Sequence, residues 1–352
     1  MFPANRSVTG QASHRRSRLT IRSVHGPVET KLTRPAPAGG GRRRARYVDP
    51  VSKPIVTLAT CSDLPNLDED DAPLPDALAE RGIEPRVAVW DDPDVDWSAA
   101  GMVVVRSVHD YAARREEFLA WAESVPRIVN HADVLRWNTD KHYLIELERR
   151  GMPIVPTIWL EPDQNYSKRQ VHTRFPANGD FVVKPAISSL SHDSGRYTAV
   201  DPVSRQQAIS HAMELLSEGR AVMVQRYLES VDERGETALV FMNGLVSHAV
   251  EKEAMLRGPY QPSEEPQEVV HARNATDAEW RLGERARHAI HSYIKDRMGR
   301  DEQLIFCRID VVEGDDELHV MEVALTDASL YLSTTSDGVD SFADAIAVRA
   351  FW

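Results

Sequence analysis

Hydrophobic positions fall into short runs separated by acidic or glycine-bearing stretches, which predicts many brief elements rather than a few long ones. Ile55-Val-Thr-Leu-Ala-Thr60, Arg86-Val-Ala-Val-Trp90 and Gly101-Met-Val-Val-Val-Arg106 read as strands rich in β-branched residues. A helix is expected over Pro73–Arg81, closed by Gly82. This alternation predicts a small open α/β domain with parallel strands over residues 54–130. A helix follows over Ala132–Arg150, capped by Asp133 and ended by Gly151, and then an extended stretch, Pro153–Trp159. Phe181-Val-Val-Lys-Pro185 is a strand running into a serine-rich loop, Ile187–Gly195. Residues 203–219 read as a helix and Ala221–Leu228 as a strand. Residues 236–251 read as a hairpin turning at Asn243-Gly244, a pair that readily takes positive φ. A long helix over Asp277–Met298 precedes a second hairpin, Leu304–Val312 with Glu317–Val323. The last helix is expected over Asp340–Phe351. No internal repeat is visible.

Composition narrows the class. With 352 residues, 42% hydrophobic and 27% charged, the chain can build two or three modest lobes around packed cores. No apolar run approaches the ~20 residues of a membrane helix, and no secretory leader is recognisable. Two cysteines, Cys61 and Cys307, exclude a disulfide scaffold and fit a reducing cytoplasm. The net charge of −12 is uneven. Residues 1–53 carry twelve Lys and Arg against Glu29 and Asp49, a net of +10, which leaves −22 for the rest. An acidic body is a poor nucleic-acid ligand, so nucleic acid is not an expected partner. The basic segment, with Pro35-Ala-Pro-Ala-Gly-Gly-Gly41, reads as a disordered arm.

Three features carry chemistry. Lys184 interrupts an apolar strand, and Lys141 lies early in a predicted helix, in Arg136-Trp-Asn-Thr-Asp-Lys141. Each is either exposed or paired with an anion. Asp310 and Glu322 sit on the two arms of a short hairpin, among Ile, Val and Met. Two such carboxylates hold a hard cation such as Mg²⁺, or form a salt bridge with a neighbour such as Arg308. Val222-Met-Val-Gln-Arg-Tyr-Leu228 ends a strand shortly before Gly235-Glu236, so a planar base could lie on the strand end with a carboxylate near a ribose. His192, Asp193, His248 and His271 lack metal-ligand spacing.

In order and wording these motifs resemble the ATP-grasp superfamily over residues 55–335. Val104-Val-Arg-Ser-Val-His-Asp-Tyr111, Arg136–Lys141, Val182-Val-Lys-Pro185 and Ser247-His-Ala-Val-Glu-Lys252 are similar to the branch of O-ureidoserine cyclo-ligases. The resemblance implies an ATP-grasp fold, with an N-terminal α/β domain over 54–130 and an ATP-grasp region over 131–352. That region would divide into a lysine and lid part, 131–228, and a metal-binding part, 229–352. It implies a carboxylate–amine ligase or cyclo-ligase that uses ATP and Mg²⁺ on small amino-acid-like substrates, and it is compatible with a homodimer. Lys141 and Lys184 would bind phosphates, with Lys184 and Arg308 acting in catalysis. Gln225, Tyr227 and Leu228 would line the adenine pocket, Glu236 would hold the ribose, and Asp310 and Glu322 would bind Mg²⁺. His109 and Tyr111 would face the substrate acid, and Leu256–Arg273 would be a substrate or lid segment. The chain departs from the branch at Leu190 and His192, where Gly and Arg are usual. It departs again at Ala324, where a second acid or Asn is usual, and at Asp327, a candidate substitute ligand. These departures define an alternative: a catalytically weakened relative that binds nucleotide as a sensor or interaction partner.

Overall fold

A computed structural model describes residues 52–261, 268–301 and 303–352. Of the predicted basic arm, residues 1–51 lie outside the described residues, as do residues 262–267 of the proposed lid segment.

The chain begins with β1 (Ile55–Thr60), α1 (Leu74–Glu80), β2 (Glu84–Val89), β3 (Met102–Val105), α2 (Arg115–Ser124) and β4 (Ile128–Val129). The four strands form a parallel sheet in the order β2-β1-β3-β4. The β2–β3 connection carries only a short 3₁₀ turn, Trp97–Ala99, in place of the helix usual between parallel strands. Trp90, Phe118 and Trp121 pack with Val103 and Val105 on one side of the sheet. Leu58 and Val104 face α1 on the other.

The helix expected over Ala132–Arg150 is two helices, α3 (Ala132–Asn138) and α4 (Tyr143–Arg149). The break at residues 139–142 is stabilised locally: the Asp140 carboxylate accepts the His142 amide at 3.1 Å, and the Lys141 amide donates to the Ala186 carbonyl at 2.9 Å. The nitrogen of His131, rather than Asp133, caps α3.

Then come β5 (Thr157–Leu160), α5 (Lys168–Arg174), β6 (Asp180–Pro185), β7 (Gly195–Thr198), α6 (Pro202–Ser217) and β8 (Val222–Arg226). They give an antiparallel sheet, β5-β8-β6-β7, with α5 and α6 packed on Phe181, Val183, Val222 and Val224. After the short α7 (Ser230–Arg234), β9 (Glu236–Met242) and β10 (Leu245–Lys252) form the predicted hairpin, with Asn243 and Gly244 both at positive φ. β11 (Val270–Arg273), α8 (Asp277–Met298), β12 (Phe306–Glu313) and β13 (Leu318–Ala324) complete a second antiparallel sheet, β11-β10-β9-β12-β13. Helices α3, α4 and α8 bury Leu144, Leu147, Ile290 and Ile294 against Leu239, Ile309 and Val323 of this sheet. Residues 132–149 therefore share a core with the later strands.

The last helix, α9 (Gly338–Ala350), returns to the first sheet and packs Phe342 and Ile346 beside Leu74 and Leu78 of α1.

Candidate active site

The two antiparallel sheets meet over a small apolar cluster. Val155, Val182, Tyr227 and Val231 come from the β6/β8 side, and Val312 with Met321 from the β12–β13 hairpin, with Leu228, Ala254 and Leu256 at its margin. The charged residues singled out in the sequence gather beside it.

Asp310 and Glu322 are register partners across β12 and β13, so period-2 alternation puts both side chains on one face of the sheet. Arg308 and Ala324 are the next such pair on that face. Asp310 is fully buried and accepts three hydrogen bonds. Its Oδ1 accepts from Arg308 Nε at 2.9 Å, and its Oδ2 from Arg308 Nη2 at 3.1 Å and Lys252 Nζ at 2.8 Å. Arg308 also donates through Nη1 to the Ser329 carbonyl and the Tyr331 hydroxyl. Lys252 reaches Glu236 at 3.4 Å and Glu268 at 3.5 Å. Burial disfavours its charge, but Asp310 and Glu236 hold its pKa well above the usual lysine range.

Glu322 is the carboxylate that reaches the cleft, with a side chain 34% exposed. Lys141 Nζ stands 3.6 Å from Oε1 and Arg308 Nη2 3.9 Å from Oε2. Burial acts to raise its pKa, but Lys141, Arg308, Lys252 and Lys184 together hold it down at about 2. Lys141 projects from the break between α3 and α4 and donates to the Ser188 carbonyl at 2.9 Å and to the Ser188 hydroxyl at 3.3 Å.

Lys184, near the end of β6, has no ion-pair partner within 4.0 Å among the described residues. Desolvation and the neighbouring Lys141 lower its pKa to about 8. An ammonium held in this way is a vacancy for an anion.

The structure thus brings Lys141, Lys184, Glu236, Arg308, Asp310 and Glu322 into one charged cluster. It adds Lys252, whose place at the end of a strand of alternating polarity gave no sign that it is buried. Gln225 is buried, with its amide donating to Thr157 Oγ1 at 2.8 Å. Leu228 borders the apolar cluster. Tyr227 lies in that cluster, but its hydroxyl donates to Asp232 at 2.6 Å, its ring lies under Arg196, and its amide donates to the Asp180 carbonyl. Tyr227 is thereby held by its own side of the cleft.

The loop after β6 closes this face. Leu190, Ser191 and Asp193 adopt positive φ, and Leu190 is 60% exposed. Ser189 donates to Asp327 at 2.8 Å, and the other Asp327 oxygen accepts the Val108 amide at 3.0 Å. Both oxygens are engaged in fastening the loop to residues 107–111. Tyr111 is buried, with its hydroxyl 3.4 Å from the Ser188 carbonyl, while His109 lies between Cys61 and Asp63.

The donor set fits one hard cation. Glu322 is ionised and accessible, Asp310 lies behind it with both oxygens hydrogen-bonded to Arg308 or Lys252, and Ala324 offers no donor.

Two antiparallel sheets gripping a lysine-lined cleft, with a serine loop above it and a parallel α/β sheet alongside, define an ATP-grasp ligase. The family model for the N-terminal domain of D-cycloserine synthetase DcsG matches residues 56–132. The chain is 36% identical over 308 residues to the cycloserine biosynthesis protein DcsG of Streptomyces lavendulae, spanning 84% of this chain and 98% of that protein. The crystal structure of D-cycloserine synthetase DcsG superposes with a TM-score of 0.74 at 34% identity, over 84% of this chain and 99% of the other. D-alanine–D-alanine ligase of Bacillus anthracis, complexed with ATP, shares the fold at a TM-score of 0.57 and 12% identity, over 85% of this chain and 97% of the other. The chain belongs to the DcsG family of ATP-grasp ligases.

Proposed function

We propose that this protein is an ATP-dependent ligase that forms a C–N bond between the carboxylate and the amine of small amino-acid-like substrates, either within one molecule or between two. The observation that carries this reading is Lys184, an ammonium with no ion pair among the described residues, beside Lys141 and facing Glu322.

Lys141 and Lys184 would bind the ATP phosphates. Val155, Val182, Leu228 and Met321 would enclose the adenine, with Gln225 and Tyr227 beneath it and Glu236 toward the ribose. Phosphoryl transfer to a carboxylate brings two anions together, and the two lysines and Arg308 offset that repulsion. Mg²⁺ held by Glu322, with Asp310 behind it, would neutralise further charge on the transferring group. Arg308 is preset for this role, because Asp310 and the Ser329 carbonyl fix its guanidinium before substrate arrives. The resulting acyl phosphate hydrolyses readily, so the loop at residues 187–195, fastened by Asp327 and Lys141, would exclude water until the amine attacks and phosphate leaves. Residues 54–130 would supply the substrate wall and 131–352 the nucleotide site, in a reducing cytoplasm that suits the free thiols of Cys61 and Cys307.

A screen of amino acids, singly and in pairs, for ADP release with Mg-ATP tests the reading, and mass spectrometry distinguishes a cyclic from a linear product. Substrate-dependent ADP formation that disappears in Lys184→Met is the expected result. Ala324 and the exposed Leu190 favour a second reading, a nucleotide-binding relative without turnover. It gives ATP binding with no ADP for any substrate and is then the better account.

A further inference from the structure

Outside the charged cleft, one group of side chains converges at the end of the first sheet, and of its members only His109 carries an expected role, toward the substrate acid. β1 ends at Thr60 and β3 at Val105, neighbouring parallel strands whose chains leave the sheet in opposite directions. In open α/β sheets the crevice beyond such strand ends is where ligands bind. Here it holds Cys61, Asp63 and His109. Cys61 Sγ lies 3.7 Å from His109 Nδ1, and His109 Nε2 lies 3.6 Å from Asp63 Oδ2. One ligand atom from each residue falls within 4.8 Å of the others.

We propose that Cys61, Asp63 and His109 form a binding site for a thiophilic divalent cation of the zinc class. A tetrahedral ion bound at about 2.3 Å to sulfur and about 2.0 Å to nitrogen holds those two atoms roughly 3.5 Å apart, close to the spacing of Cys61 and His109. With sulfur and Nδ1 bound, Asp63, which stands 3.6 Å from the opposite ring nitrogen Nε2, joins by rotating its exposed side chain toward the Nδ1 side, and a fourth position remains for water or substrate. The site is open on that side: the Asp63 side chain is 73% exposed and that of His109 28%, whereas Cys61 is buried. The two strand ends are fixed before any ion arrives, because the Cys61 amide donates to the Ser107 carbonyl at 2.9 Å and the Leu64 amide to the Cys61 carbonyl at 3.1 Å. Binding replaces the thiol proton, which passes to solvent, with a metal–thiolate bond.

The position gives the ion a function within the fold. Val108, next to His109, is bonded to Asp327, and Tyr111 reaches the Ser188 carbonyl. An ion here braces the residue 107–111 wall against the cleft without touching Lys141, Lys184 or Glu322.

The test uses the full chain, stripped of metal with a chelator and titrated with Co²⁺. The expected result is one Co²⁺ per chain with a thiolate-to-metal charge-transfer band. That band is lost in Cys61→Ser and in His109→Ala, weakened in Asp63→Asn and kept in Cys307→Ser. Zn²⁺ displaces the band, and nucleotide affinity of the stripped protein is unchanged, which separates this site from the Mg²⁺ site. Should Cys61→Ser fold poorly, His109→Ala and Asp63→Asn alter more exposed side chains and carry the comparison. Absence of a thiolate band, or a band that survives in both Cys61→Ser and His109→Ala, overturns the proposal.

Discussion

An ammonium group inside a protein normally keeps a carboxylate in contact with it, but among the described residues Lys184 has no ion pair and stands beside Lys141. Its pKa of about 8 lies below the ordinary value of 10.5, so the unliganded fold disfavours the charged form. Between those two values, rising pH therefore stabilises the empty protein through this group. A bound triphosphate prefers the charged form. Nucleotide affinity should accordingly fall as pH rises through about 8, and calorimetry should detect proton uptake on binding above that pH. Lys184→Met should flatten this profile. At Glu322, removing the charge while keeping the shape tests the cation. Glu322→Gln should weaken Mn²⁺ binding, read by electron paramagnetic resonance with a non-hydrolysable ATP analogue, by roughly 10-fold or more. These residues were legible in the sequence because a charge among valines needs a partner. Lys252 was not, because it follows Glu251 at a strand end and such a pair ordinarily faces water. Only the register of Lys252 with Glu236 across β9 and β10 places it beside Asp310.

At the scale of elements, the break between α3 and α4 decides where Lys141 goes. Arg136–Lys141 contains neither proline nor glycine, so helical spacing gave no reason to stop. The break comes from Asp140 capping His142 and from the backbone bond to Ala186, a contact distant in sequence. His142 locks it. Its Nδ1 lies 2.6 Å from Asp140, its Nε2 3.0 Å from Glu161, and its ring stacks on Trp159. Hydrogen bonding to Asp140, chiefly, raises its pKa from 6.5 to about 9. A raised histidine contributes its full stability below about 6.5 and loses it as pH climbs through 9. His142→Gln should therefore lower the melting temperature most at pH 6, and the gap from wild type should close above pH 9. Gly235 offers a second check at this scale. It opens β9 at φ +67, where an added Cβ would meet the Lys252 carbonyl oxygen. Gly235→Ala should cost at least ~1 kcal/mol in denaturant unfolding and disturb the Lys252 cluster. The longer strands, the long helix and both hairpins followed from alternation and turn residues, whereas the two-residue β4 did not. The four-residue edge strands β7 and β11, rich in charged and polar residues, left no such pattern.

Across the whole molecule, Arg106 joins the first sheet to the C-terminal segment, held by a buried ion pair with Asp71. Arg106 binds Asp71 through Nε and Nη2 at 2.8 and 2.9 Å, reaches the Ala328 carbonyl, and lies over the rings of Phe306 and Phe342. Both partners are 1% exposed. Asp71→Asn leaves a buried guanidinium without its counter-charge and should cost about 3–5 kcal/mol, visible as a large drop in melting temperature. Arg106 was visible in the sequence only as the end of a valine run. Its partners lie 35 residues before it and 222 after it, a separation that no local pattern encodes. The same distance problem hid Asp327 as the fastening of the loop, whereas the order of lysine, lysine and hairpin acids survived as a family signature. The account as a whole rests on a triphosphate held between Lys141 and Lys184. Isothermal titration of the full chain with a non-hydrolysable ATP analogue and Mg²⁺, near neutral pH, measures this directly. One site per chain is predicted, weakened in Lys184→Met by about 1.5–3 kcal/mol, or roughly 10- to 150-fold. Equal affinities for wild type and variant would contradict the account.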